Sequence, residues 1–420
     1  MSGCGARGSP ARVAVMTVAA AISMALGSCT YETEHDFREP AAPASAPPAA
    51  AVPSDRPRIY PDRGVEPKAR LEHASRELID AGASAVLLEL RVGADEPWTH
   101  AAGVRKAGGD AALATDTIHA GDMTESLVAV SVLKLADEGG LSLDEPAGTY
   151  LPELHSLFPG QELPAVRDLL RHTSDIPDYY SGLLNSPARE RALTQRMGAV
   201  DRLALAATLP WQPLPSQWYE HSNSNYVALG LIVERLRGKP LAEVLKADVT
   251  QPLSLSSTRL TDDGPVPEDM VHGYTRLDAG PADTTYAALH IGAADTGLIS
   301  TVGDLNAFLG ALLAGRLINR NLVAEMQGPV HAKFGLGLYK WNDRCTNGFY
   351  VGYVGDIPGY GTVAMASADG RRRIALAVAY APSALISGTN ALDGYLTGIA
   401  EAALNASCRF GSGVSFGDNQ

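Results

Sequence analysis

The sequence predicts an α/β protein of the α+β type, in which an antiparallel sheet is flanked by helices and carries a mostly helical insert. Early in the chain, Ala83–Val92 is a dense run of β-forming apolar residues. Late in the chain, residues 361–368 and 371–380 are similar runs on either side of an Asp-Gly pair, a strong hairpin signal. Strands at both ends, with helices between them, imply a sheet assembled from distant segments.

The remaining elements are placed by their apolar periodicity. A second strand is expected at residues 98–104, and residues 125–138 have the spacing of a helix with one apolar face. The middle of the chain is mostly helical in pattern and includes residues 226–236 and Val302–Leu313. A final helix, at about residues 390–406, closes the domain.

Composition excludes some classes of function. The chain has 420 residues, of which 45% are hydrophobic, and a formal net charge of −13. This length allows one large core or two subdomains. The negative charge argues against nonspecific binding of nucleic acid, which requires a basic surface. The four cysteines do not have the spacing of a zinc or iron–sulfur site.

The N-terminus predicts an export signal at residues 1–28. Arg7 and Arg12 precede an apolar run at residues 13–25, which is too short to span a bilayer comfortably. The run ends in Leu-Gly-Ser-Cys29, which resembles the lipobox of bacterial lipoproteins. Cys29 would then carry the lipid (palmitate) that anchors the exported chain to the outer face of the cell membrane. The alternative is an ordinary cleaved signal with an incidental cysteine.

The domain boundaries follow from shifts in composition. Residues 29–66 are predicted to be a Pro/Ala-rich tether, and residues 67–410 a globular domain followed by a flexible tail at 411–420. Within the domain, residues 67–145 and 290–410 are expected to form the α/β part and residues 146–289 the helical part. Export makes a disulfide between Cys345 and Cys408 plausible, with two isolated buried thiols as the alternative.

The most informative segment is residues 118–146, IHAGDMTESLVAVSVLKLADEGGLSLDEP. It resembles the active-site helix of the serine β-lactamase and penicillin-binding protein family (class C β-lactamase-related, D-alanyl-D-alanine carboxypeptidase-like). In that family a Ser-x-x-Lys motif opens the helix and a Gly-x-Leu-Ser-Leu-Asp signature ends the segment. The ending matches here without a gap, and the family spacing puts Asp122 at the nucleophilic serine and Glu125 at the lysine.

Further landmarks of the family occur in the right order over roughly residues 67–408. Residues 168–174 resemble its Leu-Leu-x-His-Thr-Ser-Gly loop, with Asp175 in place of the glycine. Residues 223–230, 251–253, 294–304, 334–337 and 352–360 match later landmarks. The resemblance implies the serine β-lactamase/DD-peptidase fold.

The active-site motifs depart from the family at the side chains that do its chemistry. The second motif, Tyr-x-Asn, is His221-Ser222-Asn223 here, and the basic residue of the third motif aligns with Tyr353, while Gly355 is retained. An aspartate nucleophile would give an anhydride, a poor acyl intermediate, and a glutamate cannot supply the positive charge of the lysine. Acylation of the serine type is therefore expected to be lost.

The substitutions also change the expected charge of the cleft. Two carboxylates in place of serine and lysine make it more negative by about three units if all groups are ionised. Asp356, beside the third motif, would add another anionic group. A β-lactam or D-Ala-D-Ala carboxylate should therefore be disfavoured, because like charges at 4 Å repel by about 4 kcal/mol at an effective dielectric near 20.

Several interpretations of these residues compete. Asp122 and Glu125 have the spacing of a helix capping box, which would need no function. Alternatively, Asp122, Glu125 and His221 form a divalent-metal site or a metal-free acid/base group. Gly355, Asp356 and Ser222 are candidate cleft residues, although Ser222, between two motif positions, would normally face away. His172 is expected to be a structural core histidine. Tyr179 and Tyr180 are expected to belong to a packed surface loop, with a place at the rim of the cleft as the alternative.

The sequence therefore predicts a member of this family that does not form an acyl-enzyme. It is expected to be a cell-envelope lipoprotein that binds a ligand or partner in the cleft where the family has its active site. It is expected to need no cofactor, apart from the alternative divalent metal. Its predicted partners are the membrane, through Cys29, and a cell-wall peptide, a cationic ligand or an envelope protein. The alternative is a hydrolase of an ester or amide that uses Asp122, Glu125 and His221, with or without a metal. A purely structural envelope protein with a vestigial pocket is the third interpretation.

Overall fold

The computed structural model describes residues 66–186, 189–212, 219–277, 280–329, 332–381 and 389–409. The predicted signal peptide, Cys29, the tether up to residue 65 and the tail at 411–420 lie outside these ranges. Within them, no helix is both long and apolar enough to cross a membrane.

The strands of the described ranges are β1 (Ala83–Val92), β2 (Trp98–Gly103), β3 (Ile118–Gly121), β4 (Arg259–Leu260), β5 (Tyr274–Leu277), β6 (Gly280–Asp283), β7 (Leu298–Ser300), β8 (Tyr339–Asp343), β9 (Gly348–Ile357), β10 (Tyr360–Ser367) and β11 (Arg372–Tyr380). The main sheet has six strands in the order β2-β1-β11-β10-β9-β8, all antiparallel. A smaller sheet has the order β3-β7-β4, and β5 pairs with β6.

The α-helices of the same ranges are α1 (Pro67–Asp80), α2 (Met123–Asp137), α3 (Ala147–Tyr150), α4 (Glu153–Leu157), α5 (Val166–Arg171), α6 (Tyr179–Leu184), α7 (Arg189–Thr194), α8 (Ala199–Ala206), α9 (Asn223–Arg237), α10 (Leu241–Leu245), α11 (Val302–Leu313), α12 (Arg320–Gln327) and α13 (Thr389–Ala406). Helices α3 to α10 follow one another between β3 and β4.

The main sheet is buried on both faces, which explains why β1 is a continuous apolar run rather than an alternating one. Val86, Leu88 and Leu90 belong to a core that they share with helices α1 and α13. The intervening Ala85 and Leu87 belong to the larger core, which also contains α2, α9 and α11. Because successive side chains of a strand point to opposite faces, one run of residues serves both layers.

The larger core meets the sheet through small side chains. Five alanines of β10 and β11 lie on this face: Ala364, Ala366, Ala375, Ala377 and Ala379. Their size lets α11 and the small sheet approach the backbone of β10 closely, and both contact it. The approach of β3 to the main sheet positions the start of α2, which follows β3 directly.

A disulfide joins Cys345, between β8 and β9, to Cys408, just after α13, with 5.5 Å between the Cα atoms. Nearby, Arg372 Nη2 donates to the buried carboxylate of Asp343 at 2.5 Å. The sequence prediction of this disulfide is confirmed.

The predicted architecture is confirmed, with boundaries that shift by a few residues. The sheet does combine strands from both ends of the chain, and Val302–Leu313 is a helix over the predicted residues. The stretch predicted as the helical part also contains the short strands β4, β5 and β6, which the periodicity of so few residues does not reveal.

Candidate functional site

Two glycines bring the start of α2 against strand β9. Gly121 has φ +54°, a left-handed conformation that turns the chain from β3 into the helix at little steric cost. A Cβ atom at Gly355 would lie 2.4 Å from the carbonyl oxygen of Ala120 and 2.9 Å from the amide of Asp122. Only glycine allows this contact, which explains the retained glycine of the third motif.

The side chain of Asp122 bridges these two segments instead of capping the helix. Its Oδ2 accepts a hydrogen bond from the Asp356 amide at 3.2 Å, and it makes no side-chain cap bond to α2. Thr124 holds the helix start, since its hydroxyl donates to the Gly121 carbonyl at 2.6 Å and accepts from the Leu298 amide. The capping-box interpretation of Asp122 and Glu125 is therefore wrong.

Glu125 is fully buried and is surrounded by three polar side chains, His172, His221 and Tyr353. We call these four residues the inner cluster. His172 Nε2 lies 3.2 Å from Glu125 Oε2, and the Tyr353 hydroxyl donates to the same oxygen. His221 Nε2 lies 3.5 Å from Oε1. Burial opposes ionisation of Glu125, but the two imidazoles lower its pKa to about 2.

His172 is held as a neutral imidazole with a fixed tautomer. Its Nδ1 faces two donors, the Ser222 amide and the Asn225 side-chain amide, each at 3.2 Å. The backbone amide can only donate, so Nδ1 must accept and Nε2 carries the proton that points at Glu125. Burial lowers the pKa of His172, in agreement with this neutral state.

His221 supplies the positive charge of the inner cluster. Burial alone would lower its pKa, but the carboxylate of Glu125 raises the pKa to about 10. Its side chain is 29% exposed, so solvent also stabilises the cation. At neutral pH, Glu125 and His221 therefore form an ion pair, which balances one of the carboxylate charges expected in the cleft.

The remaining motif residues surround this cluster. Asn223 begins α9, and both its backbone amide (3.0 Å) and its Nδ2 (3.3 Å) face Asp178 Oδ1. Ser222 serves through its amide, and its buried hydroxyl has no hydrogen-bond partner among the described residues.

The loop that precedes α6 contains two non-glycine residues with positive φ. Asp175, at the family's glycine position, has φ +59°, and His172 has φ +55°. Aspartate tolerates the left-handed region better than most residues, so Asp175 can take this conformation without a glycine. Asp178 then caps α6 by accepting from the Tyr180 and Ser181 amides.

Tyr179 and Tyr180 are buried within α6, so the surface-loop expectation for them is wrong. Tyr179 donates to Asp295 Oδ2 at 2.5 Å, and Arg202 pairs with the other oxygen of this carboxylate at 3.1 Å. A cap residue, Asp178, directly before two tyrosines was the available sequence signal for a short buried helix.

The ligand set predicted for a metal differs from what the structure brings together. Glu125, His172 and His221 offer atoms within 4.8 Å of one another, whereas Asp122 is not a member of this group. The tautomer of His172 also opposes a metal, because Nε2 already carries a proton. Metal-binding histidines normally donate their other N–H to an acceptor, and here the other nitrogen faces two donors. Glu125 and His221 lie within ion-pair distance, 3.5 Å, and Glu125 Oε1 has no hydrogen-bond partner among the described residues.

The ion pair should stabilise the protein measurably. We expect His221→Gln to lower the free energy of unfolding by about 2 kcal/mol at pH 6, less than for a fully buried pair because His221 is partly exposed. Because the folded-state pKa of His221 is raised, its contribution is complete below about pH 6.5 and is lost as the pH rises towards 10. Urea unfolding of both proteins at pH 6, 8 and 10 checks this.

A surface pair provides the matched control. His73 and Glu77 form an exposed i,i+4 pair on α1, so His73→Gln should change stability by less than about 0.5 kcal/mol. A double-mutant cycle of His221→Gln with Glu125→Gln separates the pairwise energy from other losses. Equal effects of His221→Gln at pH 6 and pH 10 would contradict the assigned ion pair.

The protonation of His172 predicts weak metal binding. After dialysis against micromolar zinc and then against metal-free buffer, the wild-type chain should hold substoichiometric zinc by elemental analysis. Glu125→Gln should give the same value. Stoichiometric zinc that disappears in both Glu125→Gln and His172→Gln would show that the tautomer assignment is wrong.

The fold and motifs agree with comparisons to known proteins. The curated relatives include Penicillin-binding protein 4* of Bacillus subtilis, 26% identical over 271 residues that cover 60% of this chain and 58% of the relative. Esterase EstB of Burkholderia gladioli is 34% identical over 146 residues, or 32% of this chain and 36% of that protein. The chain thus spans less than two thirds of these relatives.

Solved structures resemble a larger part of the chain. A D-stereospecific amidohydrolase from Streptomyces sp. superposes with a TM-score of 0.65 at 25% identity, covering 76% of this chain and 96% of the other. D-amino acid amidase from Ochrobactrum anthropi gives 0.68 at 21% identity, covering 82% and 99%, which shows the fold alone. The Beta-lactamase family model matches residues 76–388, about three quarters of the sequence. This chain belongs to the Beta-lactamase family, with the serine β-lactamase/DD-peptidase fold.

Proposed function

We propose that this protein is a cell-envelope lipoprotein whose cleft binds a ligand or partner without forming an acyl-enzyme. The observation that carries the proposal is the ion pair between the buried Glu125 and the partly exposed His221, at the positions that resemble the family's lysine and tyrosine. An acyl-enzyme of the family type needs a hydroxyl nucleophile and a base beside it. Here the nucleophile position holds Asp122, whose carboxylate accepts from the Asp356 amide.

The nearby hydroxyl groups support the same proposal because they are used otherwise. Ser126, in the first turn of α2, donates to the Gly337 carbonyl at 2.8 Å and is fully buried. The Tyr353 hydroxyl donates to Glu125, and burial raises its pKa well above the usual value, so it remains protonated. Neither group is arranged as an activated nucleophile.

Hydrolysis by Asp122, Glu125 and His221 is the second candidate, since curated relatives include an enzyme named as an esterase. General-base catalysis requires a group that can accept a proton near the working pH. His221, with a pKa raised to about 10, holds its proton, and Glu125 is committed to two imidazoles and a phenol. The electrostatics therefore favour binding over hydrolysis.

Labelling by a fluorescent penicillin tests the loss of acylation. The full chain, purified in detergent, should not be labelled, and neither should Asp122→Ser, because the inner cluster still lacks the base. The fourfold variant Asp122→Ser, Glu125→Lys, His221→Tyr and Tyr353→His restores the family side chains on the same scaffold. We expect it to be labelled covalently, as seen by gel fluorescence and by intact mass.

The matched control carries Asp122→Ala with the same three other changes and should stay unlabelled. Thermal unfolding of each variant establishes that it is folded. Labelling of the wild-type chain, or hydrolysis of a nitrophenyl ester by wild type that is lost in His221→Gln, would overturn the proposal.

The lipid anchor is tested separately. When the full chain is expressed in a bacterium fed with radiolabelled palmitate, we expect label in the wild-type protein and none in Cys29→Ala. Cys4→Ala should retain the label, because Cys4 precedes the apolar run of the signal and Cys29 ends it. Equal labelling of Cys29→Ala and wild type would contradict lipidation at Cys29.

A further inference from the structure

We propose that a buried pair of histidines, His119 and His290, binds a monovalent copper ion, Cu(I). The inference goes beyond the proposed function and does not depend on it. It is carried by the spacing of the two rings, and by one nitrogen atom on each ring that is buried and has no hydrogen-bond partner among the described residues. The neutral side chains around the pair decide which ion it takes.

The fold brings the two imidazole rings side by side. His119 lies in β3, and His290 ends a short 3-10 helix, Ala288–His290, in the connection from β6 to β7. Both residues are fully buried, and their ring centroids lie 5.8 Å apart with the ring planes tilted by 56°. A metal ion bonded to one nitrogen of each ring would separate the centroids by roughly 5 to 6.5 Å, because each metal–nitrogen bond is about 2 Å long and the ring radius adds to it. The observed separation fits such a bridge.

His119 uses one nitrogen to fix its ring and leaves the other as a potential ligand. Its Nε2 lies 2.7 Å from the Thr285 carbonyl oxygen, which can only accept, so Nε2 carries the proton and Nδ1 carries a lone pair. Nδ1 is buried and has no hydrogen-bond partner among the described residues. A metal-binding histidine normally donates its other N–H to an acceptor in this way, which is the arrangement that His172 lacks.

His290 is arranged in the same sense. Its Nδ1 lies 2.9 Å from the Thr296 hydroxyl, which can accept the N–H, and its Nε2 is buried without a hydrogen-bond partner in the described part of the chain. Burial lowers the pKa of His290 well below its usual value. Burial also lowers the pKa of His119 to about 4, although the carbonyls of Thr285 and Leu298 raise it. Both rings are therefore neutral at pH 7, so no proton competes with a metal for their nitrogen atoms.

Two tyrosines complete what we call the histidine pocket: His119, His290, Tyr180 and Tyr286. The Tyr180 ring centroid lies 6.2 Å from that of His290, and the Tyr286 centroid lies 6.4 Å from that of His119. Each tyrosine hydroxyl oxygen is buried and has no hydrogen-bond partner among the residues that the structure describes. Four such atoms on neighbouring side chains are costly, because each has lost its hydration. Tyr286 is partly exposed, so an ion can reach the pocket beside its ring.

The charge of the surroundings favours a monovalent ion. The histidine pocket contains no carboxylate, and the cost of burying an ion rises with the square of its charge, so a divalent ion would need anionic ligands that this set lacks. Arg202, whose charge acts on His290, is paired with Asp295 at 3.1 Å. Arg259 acts on His119 from two strands away in the small sheet and adds to the penalty for a higher charge. Imidazole is a ligand for copper, and Cu(I) accepts as few as two ligands.

Competition with the Cu(I) chelator bicinchoninate tests the site on the full chain in detergent. Free thiols are first alkylated with iodoacetamide, because Cys4 and Cys29 would otherwise bind Cu(I) themselves. Without oxygen and with ascorbate present, the wild-type chain should take one equivalent of Cu(I) from the chelator. His119→Gln and His290→Gln should each weaken binding about hundredfold or more, since loss of an outer partner of a metal ligand already costs about 10- to 100-fold.

Two matched controls locate the copper. His100→Gln removes a half-buried histidine of β2, whose Nε2 lies 3.1 Å from the Ser75 hydroxyl, and should leave the affinity for Cu(I) unchanged. His172→Gln with His221→Gln removes both imidazoles of the inner cluster and should leave it unchanged as well. Loss of Cu(I) binding in this double variant, with binding retained in His119→Gln and His290→Gln, would overturn the inference.

X-ray absorption by the Cu(I)-loaded wild-type chain decides the question even if a variant fails to fold. We expect two nitrogen neighbours at about 2 Å, with the outer scattering pattern of imidazole rings and no sulfur neighbour. Sulfur neighbours would assign the copper to methionines and overturn the site. Failure of the wild-type chain to retain Cu(I) would also overturn it, and buried water would then satisfy the four atoms.

The choice of a monovalent ion has its own test. Zinc offered to the wild-type chain in place of copper should not be retained, because the histidine pocket has no anionic ligand. Stoichiometric zinc that is retained by wild type and lost in His119→Gln would show that this choice is wrong. Penicillin labelling of wild type bears only on the proposed function and leaves the copper site untouched.

Discussion

The arrangement of the cleft depends on one interaction, the burial of the Glu125 carboxylate in the middle of the protein. An ionised carboxylate without partners is very costly inside a protein, so its surroundings must supply charge and hydrogen bonds. His221 supplies the charge, while His172 and Tyr353 supply N–H and O–H donors. Glu125 keeps His221 protonated, whereas burial and the donors at Nδ1 keep His172 neutral.

This dependence explains why the family motifs change together. With lysine replaced by Glu125, a tyrosine at position 221 would leave the buried carboxylate without a cation, and a basic residue at 353 would place a second cation in the cluster. In the observed pair the acid lies on helix α2 and the cation precedes α9. The charges at positions 125, 221 and 353 therefore depend on one another. Changing one of them alone to the family's residue leaves a buried charge without a partner of opposite sign.

Much of the fold could be predicted from the sequence. Continuous apolar runs indicate strands that are buried on both faces, and the Asp-Gly pair indicates the turn of a hairpin. The residues at the family's catalytic positions could also be named, since a motif carries its spacing with it. The protonation states could not, because they depend on His172, which lies 47 residues from Glu125 along the chain. An Asp-x-x-Glu pattern also fits a capping box. That interpretation is excluded only by the structure, in which Thr124 hydrogen-bonds to Gly121 and Asp122 makes no side-chain cap bond.

The disulfide has a consequence for how the domain can open. Helix α13 covers the face of the sheet away from the inner cluster, and Cys408 at its end is bonded to the loop between β8 and β9. Fraying from the C-terminus usually lets a last helix detach at low free energy, ahead of the rest of the fold. Here the bonded end must move with the β8–β9 hairpin. Amide hydrogens in the last turn of α13 should therefore exchange with solvent as slowly as those of the central strands, and not at the fast rate of a frayed terminus. The helix is then part of the same cooperative unit as the sheet that supports the cleft.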